Sequence, residues 1–221
     1  MTGKIQRLAF DGSSNIGAFS RVTDSWMLLA PSDPTTVKDF VSLFGLKATN
    51  TTIGHSTLVG ILAVGNQNGL LVPHIVFDEE IETLESELEL PIYSLDSKLT
   101  ALGNLILTND HAALVSPKFS KRDLQHIRDT LDVEVEARSI AESDLVGSHG
   151  VVTNKGLLAH TDLTDEELEW LASFFAVGVE VGTINCGVPY LSIGLLATSQ
   201  AAAAGHETTG PELMRITEAF F

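Results

Sequence analysis

Cysteine is nearly absent from this chain of 221 residues, and so are the segments that direct a protein to a membrane. The one cysteine, Cys186, cannot form a disulfide within the chain, which is typical of a protein from a reducing compartment. The N-terminal segment MTGKIQRLAF lacks the apolar core of a secretory signal. No apolar run approaches the ~20 residues that a membrane helix requires. We therefore expect a cytoplasmic protein that does not associate with membranes.

Positive charge is also scarce, because 13 lysines and arginines stand against 29 aspartates and glutamates, a formal net charge of −16. Such a chain repels nucleic-acid phosphates unless its cations cluster. This balance argues against free DNA as a partner and favours a basic protein. The longest acidic run, from Asp78 to Glu89, is interpreted as a solvated helix face.

Short motifs of common cofactor and catalytic sites are missing from the sequence. There is no GxxxxGK[ST] loop, no GxGxxG after a strand, no CxxC, no HxxxH or HExxH, and no GxSxG. We therefore expect no cofactor and no metal, and we assign no catalytic residue.

A repeat of about 44 residues is what the sequence does contain, and its first sign is a series of glycines that precede apolar runs. These are Gly17, Gly60, Gly103 and Gly147, at spacings of 43, 43 and 44 residues. Each run is read as two short strands around a turn rich in Asn and Gly, residues that tolerate positive φ. The turns contain 67–69, 109–111 and 154–156.

Apolar residues at i, i+3 and i+7 keep the same period and predict one amphipathic helix in each unit. The stripes begin at Val37, Ile81, Leu124 and Leu168. Asp78, Ser120 and Thr164 are predicted to cap three of these helices at the N-terminus. A third strand is predicted to follow each helix.

The fifth unit is incomplete, because the strand that should follow its helix stripe at Leu213 would lie beyond Phe221. Residues 4–10, KIQRLAF, have the position of this strand relative to Gly17. We predict that the N-terminal strand closes an α/β ring with five-fold pseudosymmetry, with helices outside. The predicted single domain has five repeats, approximately 11–53, 54–97, 98–140, 141–184 and 185–221 plus 4–10.

Polar side chains at equivalent turns of such a ring are predicted to lie on one face and to form a binding surface. Asn and Gly also serve the turns themselves, so both roles stay open for them. Asn104 is predicted to lie inside a strand, where a turn role is less obvious, and this favours a role in binding.

Cys186 has two interpretations. It could be a nucleophile that works with a distant histidine, such as His149 or His160. It could also be a small buried residue on a strand, which we favour because free cysteine is often buried.

Four long segments resemble the translation initiation factor 6 family, the ribosome anti-association factors of archaea and eukaryotes. They are VGNQNGLLVP (64–73), ALGNLILTNDHAALVSP (101–117), LVGSHGVVTNKGLLAH (145–160) and VGTINCGVPYLSIGLLAT (181–198). ETTGPEL at 207–213 adds to them, and the resemblance runs from about residue 5 to 217. The chain ends at Phe221 without the longer tail of eukaryotic members, so an archaeal type is expected.

This resemblance implies a pentein fold, a five-unit α/β propeller, and a protein that is not an enzyme. It implies a monomer that binds the intersubunit face of the large ribosomal subunit, at ribosomal proteins and rRNA near the sarcin–ricin loop. There it would prevent joining of the small subunit and take part in large-subunit maturation. The alternative is a pentein hydrolase of guanidino groups that uses Cys186.

The expected contact residues for the large subunit combine this resemblance with the polar turns. They are Asn66, Gln67, Asn68, Asn104, Asn109, Asn154 and Lys155. Eukaryotic members tend to have basic residues at the positions of Ile61 and Gln67, so salt bridges are not expected at these two positions.

Overall fold

The computed structural model describes residues 3–221 and contains five separate three-stranded sheets. In chain order the strands are β1 (Lys4–Leu8), β2 (Ser20–Val22), β3 (Met27–Leu29), β4 (Ala48–Asn50), β5 (Val64–Gly65), β6 (Leu70–Pro73), β7 (Ile92–Leu95), β8 (Ile106–Thr108), β9 (Ala112–Val115), β10 (Glu134–Ala137), β11 (Gly150–Val152), β12 (Gly156–Ala159), β13 (Gly178–Val181), β14 (Leu195–Ala197) and β15 (Ala201–Gly205). In every sheet the middle strand pairs antiparallel with its hairpin partner and parallel with the strand on its other side. The mixed α/β architecture with five-fold pseudosymmetry is therefore confirmed.

The N-terminal strand β1 completes the fifth sheet, whose order is β1-β15-β14. It runs parallel to β15, with Lys4 opposite Ala201 and Leu8 opposite Gly205. The predicted pairing of the two ends of the chain is confirmed. Without β1, strand β15 would be an open edge of buried alanines.

Among residues 3–221, five α-helices have 11 residues each, three have four residues each, and two 3-10 helices have three residues each. The helices are α1 (Ile16–Phe19), α2 (Pro34–Phe44), α3 (Val59–Leu62), α4 (Asp78–Leu88), α5 (Leu102–Leu105), α6 (Lys121–Leu131), α7 (Asp165–Phe175) and α8 (Gly210–Phe220), and 3-10 helices occupy Val146–Ser148 and Leu191–Ile193. None of the helices in residues 3–221 has the length and apolarity needed to cross a membrane.

The centres of the predicted apolar stripes of the long helices are buried. Their central residues, Phe40, Leu84, Ile127, Leu171 and Ile216, all have 0% exposure. Full burial of each such side chain contributes about 1.5–3 kcal/mol. Each long helix also touches the neighbouring unit: α6, for example, contacts β6 and β7 of the second sheet as well as β10 of its own.

The predicted helix caps are partly right. The side chains of Ser120 and Thr164 accept hydrogen bonds from the N–H groups of Asp123 and Glu167, as expected for N-caps. Asp78 is not a cap, since it is the first residue inside α4 and Phe77 precedes the helix.

The glycines of the repeat were predicted to lead directly into the first strands. They lie instead in the short helices. A Cβ on Gly60 would come within 2.0 Å of the carbonyl oxygen of Gly17, and one on Gly103 within 2.2 Å of that of Gly60. The contact recurs from Gly147 to Gly103 and from Gly17 to Ser192, at 2.3 and 1.9 Å. Glycine is needed because the backbones of successive short helices touch in cyclic order.

The hairpin turns also differ from the prediction, because none of their Asn and Gly residues in the described chain has a positive φ. Glycine serves close packing instead: a Cβ on Gly69 would lie 2.3 Å from the carbonyl oxygen of Thr130 in α6. The long helix of the following unit packs there against the turn.

Candidate functional site

The predicted contact residues lie at two opposite ends of the sheets. The hairpin end consists of the turns at 23–26, 66–69, 109–112, 153–156 and 198–201. The short-helix end consists of α1, α3, α5 and the two 3-10 helices. Asn104 lies in α5 rather than in a strand, which corrects the prediction. Strand β8 separates it from Asn109, the first residue of the next hairpin turn.

Two of the candidates at the hairpin end, Asn66 and Asn109, are 2% and 5% exposed and use their amides inside the fold. The Asn66 Oδ1 accepts hydrogen bonds from the N–H groups of Asn68 and Gly69, and its Nδ2 donates to the carbonyl of Leu131 at 2.8 Å. Asn109 repeats this arrangement, and its Nδ2 donates to Thr153 and Phe175 carbonyls. These two side chains hold consecutive units together.

The remaining candidates at this end form a partly exposed polar network. The Nδ2 of Asn154 donates to the carboxylate of Asp110, and Lys155 Nζ donates to the carbonyl of Ser199 at 2.7 Å. Asn68 Nδ2 donates to the Leu131 carbonyl at 2.9 Å. Gln67 is exposed, and its side chain makes no hydrogen bond with residues 3–221.

A small cavity of about 60 Å³ lies between the first strands of the five sheets. Arg21 lines it from β2, and burial lowers the pKa of this side chain to about 10. The equivalent positions in the other units are apolar: Val64, Leu107, Val151 and Leu196. Among residues 3–221, Arg21 has no ion-pair partner, and neither Cys nor His lines the cavity.

The short-helix end presents apolar side chains to solvent. Leu58, Leu145 and Tyr190 each directly precede a short helix, and they are 39%, 44% and 49% exposed. Asn104 is half-buried at the same end, and its side-chain amide makes no hydrogen bond with the part of the chain described. This end therefore combines exposed apolar area with an amide that has unused donors and an unused acceptor.

Two histidines at this end, His149 and His160, stack with their ring centroids 4.6 Å apart and lie against Tyr190. His149 Nδ1 is 2.8 Å from the carbonyl of Leu145. Burial, reinforced by His149, lowers the pKa of His160, while Asp162 opposes the shift. Sequence reasoning missed this cluster, because the two histidines are 11 positions apart in the chain.

Three glutamates clamp the loops that lead to the short-helix end, a role that was not predicted. Glu80, Glu167 and Glu212 are equivalent residues of α4, α7 and α8, and each accepts at least one backbone N–H from a loop of positive φ. Burial alone would raise the pKa of Glu212. The N–H of Thr209, the hydroxyl of Thr183 and further donors outweigh it and lower the pKa to about 2.

Cys186 differs from the favoured interpretation, because it is exposed and lies in a turn with φ of +63°. Its backbone N–H donates to Glu212 Oε2 at 3.2 Å. Cys186 does not line the central cavity.

Together these features define a class: an α/β protein of five similar units, with buried asparagines that join consecutive units at one end and exposed Leu58, Leu145 and Tyr190 at the other. Comparison with known proteins identifies the family. The eIF-6 family model matches residues 5–219, and the chain belongs to this family.

Curated relatives agree over almost the whole chain. It is 46% identical to translation initiation factor 6 of Pyrococcus abyssi, with 97% of each chain covered. The factors of the same name from Methanocaldococcus jannaschii and Saccharolobus islandicus are 43% and 38% identical, with 97% of this chain and 97% and 98% of the relatives covered. The resemblance stated from the sequence motifs is confirmed.

Proposed function

We propose that this protein acts in translation initiation by binding the large ribosomal subunit and preventing its association with the small subunit. The observation that carries the proposal is the full-length match to proteins named translation initiation factor 6. The proposed target is the intersubunit face near the sarcin–ricin loop, with a further role in large-subunit maturation. The protein would act in the cytoplasm, as a monomer and without a cofactor.

A steric, non-enzymatic mode of action is supported by the way the chain is built. The short helices contact one another in cyclic order and the glutamates fix the loops around them, so docking orders few additional groups. A rigid block of this size can exclude a second large partner without chemistry. We assign the fold to the pentein class and the whole chain to one domain with the five repeats given above.

The guanidino-hydrolase alternative has less support. Such an enzyme would need Cys186 beside a histidine and within an enclosed substrate site. Cys186 is exposed in a turn, away from the central cavity. Turnover of arginine or agmatine by the wild type, abolished in Cys186→Ser, would establish the alternative.

Of the two ends of the molecule, we propose the short-helix end as the principal docking surface. Asn104 has an unused amide there, and Leu58, Leu145 and Tyr190 supply exposed apolar area. The hairpin end, with Gln67, Asn68, Asn154 and Lys155, is the second candidate surface, since most of its amides are already bonded within the protein.

Cosedimentation with purified large subunits tests both statements. Wild-type protein is expected to pellet with large subunits and to stay in the supernatant with small subunits. Asn104→Ala is expected to bind about 10-fold more weakly, whereas Gln67→Ala, an exposed amide at the other end, is expected to bind like wild type. The reverse result would move the docking surface to the hairpin end, and no cosedimentation of the wild type would refute the function.

A further inference from the structure

We propose that an exposed apolar patch at the edge of the short-helix end docks a basic segment of a large-subunit ribosomal protein. This Phe77 patch consists of His55, Leu58, Ile75 and Phe77. The inference rests on the proposed function and extends it, because it names the chemistry of the partner at one edge of the docking surface.

The patch is built from two loops that support each other. The rings of His55 and Phe77 stack, with centroids 4.1 Å apart and planes inclined by 23°. Ile75 packs over Gly54, where a Cβ would lie 3.3 Å from Ile75 Cδ1. The exposed fractions of Leu58, Ile75 and Phe77 are 39%, 39% and 43%, far from the burial usual for such residues.

Glu80 holds this apolar surface in place from beneath. Its carboxylate accepts hydrogen bonds from the N–H groups of Gly54 at 2.6 Å, His55 at 2.9 Å and Phe77 at 3.0 Å. Both loops are therefore fixed by one buried side chain. A surface that is ordered before binding loses little conformational entropy on docking, which favours a role in recognition.

The charges beside the patch select the partner. Exposed Asp78 and Glu79 follow Phe77 directly, and no Lys or Arg occurs between residues 74 and 89. Lys47 pairs with Glu87, at the far end of α4. Phosphates would be repelled at this edge, and so would a second copy of the same acidic patch. A protein segment with apolar and basic side chains matches both the apolar surface and the negative charge beside it.

Photo-crosslinking tests the nature of the partner directly. Phe77 is replaced by p-benzoyl-phenylalanine, and the protein is bound to purified large subunits and irradiated. A covalent adduct with a basic ribosomal protein, stable to ribonuclease, is expected. The same replacement at Met214, which is 65% exposed on α8, should give at most a trace of adduct. An adduct at position 77 with rRNA, with a second copy, or with nothing would overturn the inference.

Binding of the double variant Ile75→Ser/Phe77→Ser supplies a second, independent readout. We expect at least 10-fold weaker binding to large subunits, an unchanged circular dichroism spectrum, and wild-type binding by Met214→Ser. If the wild type binds and the double variant binds equally well, the patch is refuted while the proposed function stands. If the wild type does not bind large subunits at all, both are refuted.

Discussion

The side-chain amide of Asn66 lies 3.2 Å from the carbonyl oxygen of Asn109, its counterpart in the next unit. Asn109 Nδ2 makes the same contact with the carbonyl of Thr153, also at 3.2 Å. One residue type at one turn position thus closes its own hairpin and joins it to its neighbour. Two residues that looked like binding groups in the sequence are part of the scaffold.

Replacing Asn66 by alanine should therefore act on stability. The change leaves the N–H groups of Asn68 and Gly69 without their acceptor and removes the bonds from Asn66 to the Leu131 and Asn109 carbonyls. The free energy of unfolding should therefore fall by about 2–4 kcal/mol. Urea denaturation measures this. Gln67→Ala, at the exposed neighbouring position, should stay within about 0.5 kcal/mol of wild type. Equal stability of the two variants would contradict the scaffold role.

Removal of residues 1–10 should prevent stable folding. The deletion takes away β1 and the core residues Leu8 and Phe10, and it exposes the edge of β15. The loss of two large core side chains alone approaches the whole stability of a typical domain, about 5–15 kcal/mol. Calorimetry should show no cooperative transition, and a peptide of residues 1–10 added in trans should restore part of it. A truncated protein that melts within a few degrees of wild type would show that β1 is dispensable.

Glu212 should make stability depend on acid pH. Its folded-state pKa of about 2 lies below the ordinary 4.5, so its contribution is complete above about pH 5 and is lost as pH falls toward 2. The shift corresponds to about 3 kcal/mol. Glu212→Gln should lose about this amount at pH 7 and show a shallower decline in acid. Glu218→Gln, an exposed residue of the same helix, is the control, and an identical pH dependence in both variants would count against the clamp.

Arg21 should make the fold less stable than a leucine at the same position would. Two of the four equivalent positions contain leucine, and burial in the central cavity lowers the pKa of the guanidinium to about 10, while no carboxylate of the described residues pairs with it. Arg21→Leu should raise the free energy of unfolding by about 1–3 kcal/mol, because a desolvated charge is replaced by an apolar group. Urea midpoints of the two proteins decide this, and a clear loss of stability would mean that the charge is well solvated or paired.

The large-scale architecture could be predicted from the sequence, because burial of apolar side chains imposes a regular spacing on helices and strands. The stripe containing Leu171 must face a sheet, and β1 had no partner strand in its own unit. The short helices could not be predicted, since a stretch of four residues such as Leu102–Leu105 is too short to show a helical period. Asn104 was consequently placed in a strand. The role of Glu80 could not be inferred either, because its partners at 54 and 55 lie 26 and 25 residues away.

The central claim, that this protein keeps ribosomal subunits apart by occupying the large one, is tested most directly by titrating subunit joining. Purified large and small subunits are mixed with increasing protein, without added nucleotide, and the joined particle is measured by gradient sedimentation. The account predicts that joining falls in proportion to added protein and stops at about one protein per large subunit, with Asn104→Ala shifting the curve to higher concentration. Undiminished joining at saturating protein would contradict it.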